Sequence, residues 1–457
     1  MKSRATFALI FLIAIVLVII SLVTMRSESK KILFANRELI TQSGVCPPFN
    51  LYDEDGNIID PVNNINSEKP YSPKQTCGKC HDYNKITQGF HFQQGKDEVA
   101  SGTLAERYQW VSNPGNYGGN WCSPAPLYNY LSKKENSSAV EMDMTSFTFI
   151  TNGCATCHPG GGPLEYDRDG FRYDRHMDSL GYTAGGTNNF DGDYFQAHWN
   201  RSGVIEADCN LCHLPEYDYK SRNDHLAKFN FRWMATVGSG LATVEGSIKD
   251  TIDVKVKYNL SKFSPDGKIS MHLVREPRNE TCLNCHSKPQ WKKRGSSFTE
   301  FTDVHIAKGL KCVDCHDPHT GVVQLRKAGE PTTRTTCEAC HYQQAKYQKN
   351  PLHDSMNMAC TECHMTRIVK SAWGNAEEYT GDIRTHLMAI DPSQIEQFVI
   401  VTEGGEEKSY AISQIGLNYA CRHCHGAGLA QPRTDEQLIA GATGYHDQPA
   451  TVPYPAP

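Results

Sequence analysis

Hydrophobic positions are distributed along this chain in three ways. From Ala5 to Met25 they run as a 21-residue stretch without a charge, long enough at ~1.5 Å per residue to cross a hydrocarbon core as one helix. In residues 397 to 412, "QFVIVTEGGEEKSYAI", apolar and polar positions alternate around Glu-Gly-Gly-Glu, which predicts a β-hairpin. Elsewhere neither period persists for long. Short helices are expected beside cysteine pairs, in "DYNKITQGFHFQQG" and "EACHYQQAKYQKNPLH", while "LYDEDGNIIDPVNN" reads as a turn between two extended pieces. Residues 165 to 205 form a Tyr, Asp and Gly-rich insert with no helical period, a length at which loops usually serve function. The pattern predicts a mainly α, irregular fold with few short β-hairpins and one N-terminal transmembrane helix. The small residues of a signal-peptidase site are missing after Leu22, so an uncleaved anchor is expected over 1–26, with a signal peptide as the alternative. No heptads, P-loop or dinucleotide fingerprint occur.

Composition changes this picture through cysteine. Of 18 cysteines, 16 lie in eight copies of C-x-x-C-H. The first four are Cys77, Cys80 and His81; Cys154, Cys157 and His158; Cys209, Cys212 and His213; Cys282, Cys285 and His286. The second four are Cys312, Cys315 and His316; Cys337, Cys340 and His341; Cys360, Cys363 and His364; Cys421, Cys424 and His425. Two thiols at this spacing reach the two vinyl groups of one porphyrin, and the following histidine sits under the iron. A lone motif could be a zinc half-site or a redox dithiol, but eight copies with the histidine predict eight covalently attached haem c groups (Fe). Covalent haem c is assembled outside the cytoplasmic membrane in prokaryotes, so the haem domain is expected to face the periplasm. The two remaining cysteines, Cys46 and Cys122, are a disulfide, two isolated buried thiols, or a pair of which one sulfur faces a haem.

The steps between first cysteines are 77, 55, 73, 30, 25, 23 and 61 residues. Where the steps are short, from Cys282 to His364, few residues remain for side-chain cores, so porphyrins must supply the apolar interior. The organisation expected is an anchor (1–26), a lead segment (27–75), an octahaem domain (76–426) and a tail (427–457).

Eleven histidines lie outside the proximal positions. His305 and His353 each stand seven residues before a first cysteine, and His319 lies three after a proximal histidine. These three, with His91, His198, His225, His272 and His386, are the expected distal ligands; His176, His423 and His446 are the spares. The formal charge of −5 falls to about −13 with eight ferric haems and ionised propionates, which speaks against nucleic acid and suits a redox partner with a basic face.

With these motifs in place the chain resembles the octahaem cytochrome c family that includes octahaem tetrathionate reductase, and more distantly hydroxylamine oxidoreductase and octahaem nitrite reductases. The resemblance rests on "NWCSPAP" before "NGCATCH", on "EADCNLCH" and on "TDVHIAKGLKCVDCHDPH", and covers roughly residues 75 to 370. "GDIRTHLMAID" and "NYACRHCH" resemble the C-terminal part of membrane-anchored multihaem cytochromes, with His386 as ligand. The resemblance implies a substrate haem at His158, whose sixth position carries a lysine in the tetrathionate type. This chain has no lysine between Lys134 and Lys220, and the run Gly160, Gly161, Gly162 follows His158 instead. Those glycines would either let backbone approach the porphyrin, with His176 closing the sixth position, or leave it open to substrate. Two functions follow. The first is an electron carrier between a quinol-oxidising membrane partner, or other cytochromes, and downstream acceptors. The second is reduction of a small sulfur or nitrogen oxyanion, with His158, His176, Tyr166 and Arg168 as catalytic candidates. Arg168, Arg172 and Arg175 could bind an anion, but salt bridges to neighbouring aspartates are the plainer reading.

Overall fold

The computed structural model describes residues 45–94, 150–166, 170–175, 199–294, 303–319, 333–347, 353, 356 and 358–447. The expected anchor, Cys122, Arg168, His176 and His198 lie outside the described residues. Among the described residues no helix is long and apolar enough to cross a membrane.

Most described elements are short helices, and the attachment motifs set their length. The cysteine pairs lie on or beside Pro73–Cys77, Ala155–Cys157, Asn210–His213, Cys312–Cys315, Cys337–Cys340, Cys360–His364 and His423–His425, and the fourth pair lies in the longer helix Asn279–Arg294. Local capping starts several of them. The Ser72 hydroxyl accepts the Gln75 N–H, with Pro73 in the first turn, and Asp303 accepts the His305 and Ile306 N–H groups. The expected helix over "DYNKITQGFHFQQG" breaks into Tyr83–Ile86 and Phe90–Gln93 at Gly89, where a Cβ would lie 2.5 Å from the Pro318 carbonyl.

Among the described residues strands occur only as antiparallel pairs. β1 (Leu51–Tyr52) pairs with β2 (Ile58–Ile59) across the expected turn, where the Asp53 carboxylate accepts the Asp55 and Asn57 N–H groups. β3 (Ala242–Ser247) pairs with β4 (Ile252–Tyr258), and β5 (Val369–Asn375) with β6 (Thr380–Ile383). β7 (Phe398–Glu403) and β8 (Glu406–Ala411) form the hairpin that the alternation predicts. Gly404 and Gly405 at its tip both have positive φ, 61° and 86°, which the favoured two-residue hairpin turn requires.

Side-chain cores gather in the first two-thirds. One joins Leu51, Ile59 and Tyr71 to Leu214, Leu241 and Ile269; another joins Ala155 and Leu164 to Val204, Phe231 and Met234. The described part of the lead segment therefore does not stand apart from the haem region. Val45 and Phe49 donate backbone hydrogen bonds to Leu273 and Ile269, sealing that segment onto the same core. The main core cluster beyond residue 303 is small, built on Leu387, Ile415 and Ala420.

Candidate functional site

Six motif histidines each face one histidine from outside the motifs. Ring centroids are 5.9 Å apart for His286 with His91, 5.8 Å for His213 with His319, and 5.9 Å for His341 with His305. They are 6.1 Å apart for His316 with His386, 5.8 Å for His425 with His353, and 5.9 Å for His364 with His446. No residue is used twice. Two imidazoles that share one metal axially have centres roughly 6 Å apart, because each ring nitrogen lies ~2 Å from the metal. Among the described residues no cluster of three or more His, Cys, Asp or Glu could hold a metal ion alone. A metal between these pairs would take its other ligands from a cofactor, and a porphyrin tethered by the adjacent cysteines supplies four. The residues present fit haem c.

Backbone carbonyls prepare several of these rings. Nδ1 donates to a carbonyl in His158 (His91, 2.7 Å), His213 (Val274, 2.8 Å), His364 (Met388, 2.7 Å) and His425 (Gln431, 2.8 Å). Each bond fixes the proton on Nδ1 and leaves the Nε2 lone pair for a metal. Burial lowers the pKa of His91 to about 3 and of His158 to about 4, so both rings are neutral near pH 7.

The remaining histidines divide differently from expectation. His446, read as a spare, faces His364. His225, read as a distal ligand, is buried, and its Nδ1 accepts from the Asn230 amide at 3.1 Å, while the Asn230 oxygen accepts the Ile248 N–H. That places the imidazole proton on Nε2, the atom an iron would need. His272 is half-buried between Met271 and Leu273, and the Nδ1 of His423 donates to the Tyr419 carbonyl at 3.2 Å. Among the described residues neither His81 nor His158 is faced by a histidine ring; the ring beside His158 is Phe90, with centroids 6.3 Å apart.

The glycine run meets protein backbone from two remote segments. A Cβ on Gly160 would lie 2.1 Å from the Glu206 carbonyl, and one on Gly162 would lie 2.3 Å from that of Phe92. Gly161 donates to the Ile205 carbonyl at 2.9 Å, and φ is positive at all three. Glycine is required because two chain segments cross without room for a side chain.

Arg172 and Arg175 of the insert are committed to ion pairs. Arg172 bonds Asp174 at 2.8 Å, Glu206 at 2.7 Å and also Glu54; Arg175 bonds Asp55 at 2.7 Å. The salt-bridge reading therefore holds for these two, although most partners come from elsewhere in the chain. Burial opposes the charge on Arg172, yet the three carboxylates raise its pKa. The Tyr166 hydroxyl accepts from Lys74 Nζ, and burial raises its pKa to about 12. The buried carboxylates Glu54, Glu165 and Glu206 were invisible to motif reading, since no spacing links them.

The NapC/NirT cytochrome c family model, N-terminal region, matches residues 188–324. The chain is also similar to dissimilatory sulfite reductase MccA of Wolinella succinogenes, 24% identical over an alignment 208 residues long that covers 37% of this chain and 29% of that protein. The chain thus spans under a third of the relative it matches. A solved octahaem sulfite reductase MccA from the same organism aligns with a TM-score of 0.24 and 17% identity, over 51% of this chain and 42% of that one. The tetrathionate reductase type is not singled out; the family model and the sequence relative support a multihaem c-type cytochrome.

Proposed function

We propose that this chain is a membrane-anchored, periplasm-facing octahaem c-type cytochrome. It would carry electrons from a quinol-oxidising partner, or another cytochrome, to downstream acceptors. The observation that carries the reading is the set of six histidine pairs, each one motif imidazole against one other at 5.8–6.1 Å. Haem c supplies one-electron chemistry when bound. The chain's part is to hold both axial positions, which keeps substrates off the iron and the coordination unchanged between redox states. His286 with His91, His213 with His319, His341 with His305, His316 with His386, His425 with His353, and His364 with His446 are assigned as axial pairs.

A second reading, reduction of a small sulfur or nitrogen oxyanion at the haem of His158, has one specific support. His158 is a motif histidine faced by no histidine among the described residues, and a similar protein is named a sulfite reductase. Lys74 and Tyr166 already bond each other, so a proton donor there would have to break that contact.

Carbon monoxide binding to the reduced, haem-loaded chain tests both. Binding by no haem supports the carrier alone, and binding by one or two, lost when the haem of His158 is removed, supports the second reading. Binding by three or more haems would refute the assigned pairs.

A further inference from the structure

Glu206 joins two attachment motifs. It stands three residues before Cys209. Its Oε2 accepts the Ser72 hydroxyl at 2.6 Å and the backbone N–H of Lys74 at 3.2 Å, and Lys74 stands three residues before Cys77. Three residues span at most ~10 Å. A buried carboxylate thus lies close to the tethers of the first and third motifs.

Its surroundings are charged and nearly balanced. Arg172 donates to Glu206 Oε1 at 2.7 Å and also holds Asp174 and Glu54, and Arg232 lies 3.3 Å from Glu54. Glu165, fully buried, accepts from Lys74 Nζ and the Tyr83 hydroxyl, each at 3.0 Å. Four carboxylates (Glu54, Glu165, Asp174, Glu206) face three cations (Lys74, Arg172, Arg232), leaving one negative charge in excess. Asp208 and Arg222 border the same region and add one charge of each sign.

Two cavities border this charged cluster. An enclosed one of about 10 Å³ is lined by Glu54, Glu206 and Arg232, room for about one water. A wider one of about 280 Å³, lined by Asp53, Asp55, Asp174 and Arg175, again includes Glu54 and Arg232. Glu54 and Arg232 thus line both.

We propose that Glu206, reached through Glu54, is a proton-binding site whose occupancy follows the redox state of the haems held by the first and third motifs. The inference rests on the electron-carrier reading for those haems. When a quinol or a reduced cytochrome delivers one electron to a haem held by either motif, the Glu206 carboxylate would take one proton from bulk water. The buried region then keeps its net charge. In a low-dielectric interior this compensation favours electron entry. Burial raises the pKa of both Glu54 and Glu206, and the Glu165 charge adds to the effect at Glu206.

The haem-loaded full chain is titrated spectroelectrochemically at several pH values, with reduced-minus-oxidised infrared spectra. A visible spectrum without haem c would sink the carrier reading itself, before any titration. With haem present, one midpoint is expected to fall with rising pH by up to about 59 mV per unit, and reduction is expected to add a protonated-carboxyl band. Glu206→Gln should abolish the band and flatten that slope, while Glu54→Gln should keep both and slow the proton uptake. If Glu206→Gln does not fold, Ser72→Ala removes one hydrogen bond from the carboxylate and should move the pH window upward. Overturning results are a wild-type protein with no such band, a band unchanged in Glu206→Gln, or a window unmoved in Ser72→Ala.

Discussion

Residues 45–274 and 303–447 carry the same motif on different foundations. In the first region the motif helices lie beside side-chain cores: Ala155 is buried next to Leu164 and Phe231, and Leu214 follows His213 into the core of Leu241 and Ile269. In the second, Cys337–Cys340, Tyr342–Lys346 and Cys360–His364 bury no residue at all. The difference follows the spacing of the cysteines. Steps of 55 to 77 residues leave chain enough to build a core, and steps of 23 to 30 do not. With haem c attached, the second region would draw its apolar contacts from the porphyrins, which is the expectation from the spacing.

The comparison can be broken first by removing a tether. In the haem-loaded chain, Cys337→Ala with Cys340→Ala should open residues 303–447 to protease while 45–274 stays resistant; equal resistance of both would refute the contrast. Arg172→Leu strands Glu54, Asp174 and Glu206 in a buried site and should cost about 3–5 kcal/mol, read from denaturant unfolding of the first region. Leu241→Ala, fully buried, should cost about 2–5 kcal/mol. Val399→Ala on the exposed hairpin should change stability by no more than about 0.5 kcal/mol; similar losses at both sites would mean that the hairpin is covered.

The smallest effect is a pH dependence. Glu54 and Glu206 have raised pKa values, chiefly from burial, so the native state holds more protons than the unfolded chain above the ordinary carboxylate value. Their contribution is fully present below that value and is lost as pH rises through the native one. Unfolding of the first region should therefore become easier across that window, and Glu206→Gln should remove part of the slope.

Legibility in the sequence tracked the distance over which each feature is made. The β7–β8 hairpin was readable because its strands and its Gly404-Gly405 turn are contiguous. His305 and His353 were readable because their frame repeats beside the motifs. That the glycine run accommodates backbone of Ile205, Glu206 and Phe92 was hidden, because no local pattern announces those remote segments. His446 looked spare because its motif partner, His364, lies 82 residues earlier. The carboxylates at 54, 165, 174 and 206 converge only in three dimensions.

The facing histidines also bear on how the molecule is made. Cysteines and proximal histidine are contiguous, so haem attachment would need only a short stretch of chain. Under the assigned pairing, the second axial ligand is remote: His91 precedes His286 by 195 residues, whereas His319 follows His213 by 106. Some irons would meet a partner already waiting, and others would stay unfinished until later chain arrives. Maturation then has a built-in checkpoint, in which a stalled or clipped chain carries attached but incompletely coordinated haem that a protease or a ligand-binding assay can tell from the finished protein.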